Sequence, residues 1–177
     1  IPGLFPVTFM VNLGVEIARG TVDPDLVTVS VAGDFNNWDT AVAPLTRSAD
    51  RPEVWTGTLD ISGSGGTVLL YKFVLDGGTW ETGDNRAYTL GDTVPQEIPE
   101  VYFSNAADLG AVTVTGAGEG RITVSWVAGA QVRLQRSAAL GSGNWQDVEG
   151  TEGADSATLD IGPGPAFFRL SGPHLNF

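Results

Sequence analysis

Two tryptophans, a lysine, a glutamate and an asparagine are the residues whose types and spacing point to recognition chemistry. Trp38 stands in a polar, turn-rich stretch, Gly-Asp-Phe-Asn-Asn-Trp-Asp at 33–39. Trp80 opens a second one, Trp-Glu-Thr-Gly-Asp-Asn-Arg at 80–86, which also holds Glu81 and Asn85. It follows closely on Lys72, the only lysine among 177 residues. An indole presents a flat apolar face to the C–H face of a sugar ring, and Lys, Glu and Asn make directed hydrogen bonds to hydroxyls. That mixture is what a carbohydrate site requires. Taken singly, each tryptophan also fits a core residue capping the end of a sandwich, and Lys72 fits a surface lysine with a buried stem.

Catalysis is less well served. Paired carboxylates can hydrolyse glycosides, but nothing in the spacing of the 21 acidic residues isolates two of them, and they read as a solvated acidic surface. His174, the only histidine, lies three residues from the C-terminus and is a poor general base. No nucleophile elbow, phosphate loop or dinucleotide fingerprint is present. With no cysteine there is no disulfide, and one histidine cannot build a histidine-rich metal site. Asp76, Asp84 and Asp92, or Asp23 and Asp25, have the oxygen ligands calcium takes, but none follows the EF-hand pattern. We therefore expect no enzyme activity, metal or cofactor. A net charge of -12 argues against a nucleic-acid partner. The 42% hydrophobic content is too high for a disordered acidic chain, and no apolar run is long enough to insert in a membrane as a helix.

The elements that must position these residues are strands. Val7, Phe9 and Val11 alternate with polar or flexible neighbours, as do Val27, Val29 and Val31. Trp55, Leu59 and Ile61 share one parity. In the strongest strand, 68–75, Leu69, Tyr71, Phe73 and Leu75 form one face, with Leu70, Lys72 and Val74 on the other. Asp76-Gly77-Gly78 is a hairpin signal, 80–86 a short strand running into a loop, and 101–103 a closing strand. A linker is expected at 104–109. Beyond it, strands are expected at 111–115, 121–127, 131–135, 145–148, 157–161 and 166–170, punctuated by Gly and Asp as in small β-sandwiches. Single helical turns fit 15–19 and 137–140. The charge density also shifts near 105: residues 1–104 carry 5 basic and 14 acidic groups, residues 105–177 carry 4 and 7. The expectation is an all-β chain with one domain at 1–104 and a smaller one at 105–177.

Residues 6–104 resemble a starch-binding domain of carbohydrate-binding module family 20, with features of the related glycogen-binding family 48. The opening Val7-Thr8-Phe9 and the Val29, Val31, Gly33 pattern resemble the first two strands of that family. The stretch 33–39 and Pro44-Leu45-Thr46-Arg47 resemble the glycogen-binding version, while Tyr71-Lys72-Phe73-Val74 and 80–86 resemble the starch-binding one. The resemblance implies an immunoglobulin-like sandwich that binds α-1,4-glucan. It implies stacking by Trp38 and Trp80 on consecutive glucose units and hydrogen bonds from Lys72, Glu81 and Asn85. Arg86 and Tyr71 are expected to support the fold. The family's second site uses tyrosines that neither Tyr88 nor Tyr102 matches.

Residues 107–177 resemble a small fibronectin-like accessory β-domain of secreted bacterial proteins, through Ile122-Thr123-Val124-Ser125-Trp126, Leu134-Gln135-Arg136-Ser137, Gly143-Asn144-Trp145 and Phe167-Phe168-Arg169-Leu170. Trp126 and Trp145 are expected in its core. The expected function is non-catalytic binding of starch, glycogen or maltooligosaccharide by a secreted or cell-surface protein. The N-terminal Ile1-Pro2-Gly3 and the acidic, lysine-poor composition are read as a mature extracellular form. The alternative is a structural subunit of an extracellular filament or surface assembly, homo-oligomeric through strand exchange. It is motivated by the absence of cysteine and by the apolar ends Ile1 to Phe9 and Leu175 to Phe177.

Overall fold

A computed structural model describes residues 3–141, 143–173 and 175, so the readings that fall on Ile1, Pro2, His174 and Phe177 lie outside the described residues. The alternation at the start of the chain becomes β1 (Gly3–Asn12), whose Val7, Phe9 and Val11 are fully buried. β2 (Val29–Gly33), β3 (Pro44–Arg47), β4 (Val54–Gly63) and β5 (Val68–Leu75) follow. Then come β6 (Thr79–Trp80), β7 (Arg86–Thr89), β8 (Gln96–Glu97) and β9 (Val101–Tyr102). The expected strand at 80–86 is two strands, β6 and β7, separated by the loop 81–85. β3 was not foreseen as a strand; its Pro44 opens an exposed end where the missing N–H is tolerated.

These nine strands form one hydrogen-bonded path, β6-β5-β2-β3-β4-β1-β8, with β7 on β5 and β9 on β1. It is a mixed sheet: β1 pairs antiparallel with β4 but parallel with β8 and β9. Along the path β5 and β1 are four strand spacings apart, about 19 Å if the sheet were flat. Yet the rings of Phe9 and Tyr71 lie 5.2 Å apart, edge to face. The sheet therefore folds over on itself through β3, giving a sandwich-like unit with Phe9, Tyr71 and Phe73 at its centre. Tyr71 and Phe73 meet at 5.7 Å, and burial pushes the Tyr71 phenol up to about 12, so it stays neutral.

The chain divides into two compact units: Ile1–Leu13 with Asp23–Ala106, and Gly14–Val22 with Ala107–Phe177. Nothing in the local pattern of 14–22 marks it as part of the second unit. The expected turn there is helix α1 (Gly14–Arg19), whose Val15, Ile17 and Ala18 are buried. The Gln131 N–H donates to Ala18 O and the Ala130 N–H to Arg19 O, which fixes this excursion to the second unit. The second unit is built from β10 (Thr113–Gly118), β11 (Arg121–Ser125), β12 (Arg133–Ser137), β13 (Gln146–Asp147), β14 (Ser156–Asp160) and β15 (Phe167–Ser171). They form two antiparallel three-stranded sheets, β10-β11-β14 and β13-β12-β15. The turn expected at 137–140 is not helical: Ser137 ends β12 and its hydroxyl accepts the Ala139 N–H in a bend. Trp126 is buried, whereas Trp145 is half-buried, with the Arg169 guanidinium 4.5 Å over its ring.

Candidate functional site

Trp38 is presented by a loop that the sequence wires locally. Gly33 ends β2 where a Cβ would collide with Leu70 O and the Phe35 ring, so only glycine fits. The Asn36 side chain accepts the Gly33 N–H at 2.8 Å and donates to Val31 O at 3.1 Å. Asp34 accepts the Leu70 N–H at 3.1 Å, and Phe35 packs on Phe9 at 5.5 Å. So braced, the chain takes two consecutive left-handed residues, Asn37 (φ 55°) and Trp38 (φ 60°). Asparagine tolerates this region, but for tryptophan it costs on the order of 1–2 kcal/mol. Such strain persists only where the surroundings impose it, and it gathers at ligand-holding loops. The Trp38 N–H donates to Gly33 O at 2.8 Å, closing the loop.

The opposite wall comes from the β5–β6 hairpin. Asp76 and Gly77 turn with φ 50° and 68°, and the Asp76 carboxylate accepts the Thr28 N–H at 2.9 Å. The register pairs Val74 with Trp80 and Ala32 with Lys72. Because side chains alternate between faces, Lys72, Val74 and Trp80 share one face, on which Val74 is fully buried, while Tyr71, Phe73 and Leu75 take the other. The Trp38 and Trp80 rings lie 6.2 Å apart, tilted by 49°. With Lys72 and Asn85 they line a shallow depression of about 280 Å³. Trp80 is 39% exposed, Trp38 and Lys72 are half-buried and Asn85 is exposed. The Lys72 ammonium donates to Glu81 O at 3.2 Å and Gly83 O at 2.6 Å, which holds the 81–83 loop and leaves one of its three donors for the depression.

Of the five residues singled out in the sequence, Trp38, Lys72, Trp80 and Asn85 come together here. Glu81 does not. Its side chain is 1% exposed, and its oxygens accept from Arg86 (Nε at 2.9 and 3.0 Å, Nη2 at 2.6 Å), from the Phe73 N–H at 2.9 Å and from the Ser104 N–H at 3.3 Å. Every lone pair is spoken for, so Glu81 is a buried anchor rather than a sugar ligand. Its neighbour Trp80 faces out, and strand alternation at 80 and 81 is the signal that could have found this. Arg86 also donates to Tyr102 O at 2.8 Å. Tyr88 donates to Gln96 at 3.1 Å and lies away from the depression. Among the described residues no cluster of three or more His, Cys, Asp or Glu side chains could hold a metal ion.

Residues 26–89 match the family model of carbohydrate-binding module 48, the isoamylase N-terminal domain. A carbohydrate-binding module is present in this chain. It is of a non-catalytic kind, and it spans β2 to β7, so all four residues of the depression lie within it. Among solved structures the chain is similar to a glycoside hydrolase family 15 glucoamylase from Hypocrea jecorina, at 30% identity and a TM-score of 0.44. The match covers 58% of this chain and 17% of that one. Comparison with the curated proteins finds no match. The depression offers two tilted apolar plates, a cation and an exposed amide, with no carboxylate among its lining residues.

Proposed function

We propose that the module binds α-1,4-glucan without cleaving it, with Trp38 and Trp80 stacking on successive glucose rings and Lys72 and Asn85 hydrogen-bonding their hydroxyls. The observation that carries this reading is the indole pair, 6.2 Å apart and tilted by 49°. Two coplanar indoles suit a flat polysaccharide; two tilted ones suit a chain that turns between residues, as an α-1,4-glucan does. The composition favours a secreted or cell-surface setting, and the mixed family 20 and family 48 features of the sequence favour starch, glycogen or maltooligosaccharide as ligand.

Strand exchange through the N-terminus is disfavoured by pairing. β1 is in register with β4 along its whole length, from Gly3 opposite Gly63 to Asn12 opposite Val54, so it is engaged in its own sheet. The decisive experiment is titration with maltoheptaose, β-cyclodextrin and, as a flat-chain control, cellohexaose, followed by tryptophan fluorescence and calorimetry. Binding of the first two with quenching, and none of the third, is the expected result. No binding of either α-glucan at millimolar concentration refutes the reading.

A further inference from the structure

The loop that carries Trp80 and Asn85 is buttressed from below by the segment through which the chain leaves the first unit. Three hydrogen bonds make this connection. The Thr82 N–H donates to Ser104 Oγ at 3.0 Å, the Ser104 N–H donates to Glu81 Oε2 at 3.3 Å, and Arg86 donates to Tyr102 O at 2.8 Å. Phe103, 5% exposed, pins the segment between them. Ser104 and Asn105 then adopt left-handed backbone, φ 53° and 57°, immediately before the unit ends at Ala106. Asparagine tolerates this region, but Ser104 takes it up only where its contacts impose it. The same carboxylate, Glu81, receives both the exit segment and Arg86, which lies over the Phe73 ring on the core side of β5.

We infer that Ser104 is a positioning residue of the sugar site, and that sugar occupancy is linked to the order of the exit segment 102–105. This rests on the glucan reading for its ligand but not for its mechanics. A sugar that needs Trp80 and Asn85 held still binds the buttressed state better. By reciprocity it must then favour the hydrogen bonds that make that state, including those at 102–105. A binding event on the module thereby reaches the stretch of chain leading to the second unit.

The test uses the full chain with Ser104→Ala and Ser104→Gly, maltoheptaose as probe, calorimetry, thermal melts and hydrogen exchange at 80–85 and 102–105. Both variants lose the Thr82 acceptor, and a three- to tenfold weakening is expected, about the effect of one lost hydrogen bond. Exchange at 80–85 should quicken in the free variants, and sugar should slow exchange at 102–105 in the wild type. Ser104→Gly relieves the left-handed backbone, so its stability is held or raised while its affinity falls, a split that a purely structural role does not give. Affinity within twofold of wild type in both variants overturns the inference. So does affinity that falls only in step with stability, or exchange at 102–105 that sugar leaves unchanged. If the wild type binds no glucan, the functional reading fails by itself. Exchange at 80–85 in the free variants then decides the buttress: quickened supports it, unchanged overturns it.

Discussion

Replacing Trp80 by alanine removes the most exposed apolar plate of the depression, and the structure sets the size of the effect. A tryptophan carries about 250 Å² of surface, and Trp80 leaves 39% of its surface exposed, hence about 100 Å². At about 25 cal/mol per Å², a sugar covering two thirds to all of it gains about 1.6–2.4 kcal/mol. Trp80→Ala should therefore weaken maltoheptaose binding by about 15- to 60-fold. Trp38, already half-buried, has less free area to offer, so Trp38→Ala should cost less unless its loop collapses. Calorimetry gives the affinity, and far-UV and near-UV circular dichroism confirm that β6 is intact. Trp80→Phe should recover much of the loss, because a smaller plate remains. The reasoning is refuted if Trp80→Ala, folded, binds within twofold of wild type, or if Trp38→Ala is the more damaging while its loop is preserved.

Removing the buried anchor should act on stability first. Glu81→Ala leaves Arg86, 13% exposed, without its carboxylate, and should cost about 3–5 kcal/mol in urea unfolding of the first unit. In the second unit, Glu16 on α1 has a buried carboxylate oxygen, Oε2, without a hydrogen-bond partner among the described residues, and burial raises its pKa above the ordinary carboxylate value. The folded state then holds the proton more tightly than the unfolded one, so this group lowers stability as pH rises from 4.5 through the raised folded value. Glu16→Gln should raise the urea midpoint at pH 7 and leave it unchanged at pH 3; an equal shift at both pH values would show that charge is not the cause.

Much of the fold was legible because strand periodicity and turn chemistry are local. The alternation of 68–75 put Lys72 on one face and Tyr71 with Phe73 on the other, as found. Asp76-Gly77-Gly78 made its hairpin because those residues accept left-handed backbone at little cost. Lys72 and Trp80 were therefore bound to share one face of a short hairpin, and sequence by itself determined that half of the depression. The rest depended on contacts between residues far apart in the chain. Only the long-range pairing of β2 with β5 brings the 33–39 loop beside β6, so that Trp38 and Trp80 are separated by 6.2 Å in space but by 42 positions in sequence. Glu81 carried the residue type of a sugar ligand. Which partners meet a carboxylate, though, is settled by what packs beneath it, here Arg86 and the backbone of Phe73 and Ser104. Ser104 and the return of 14–22 to the second unit had no local signature at all, because a serine hydroxyl and a short apolar turn acquire their roles only from partners that tertiary folding supplies.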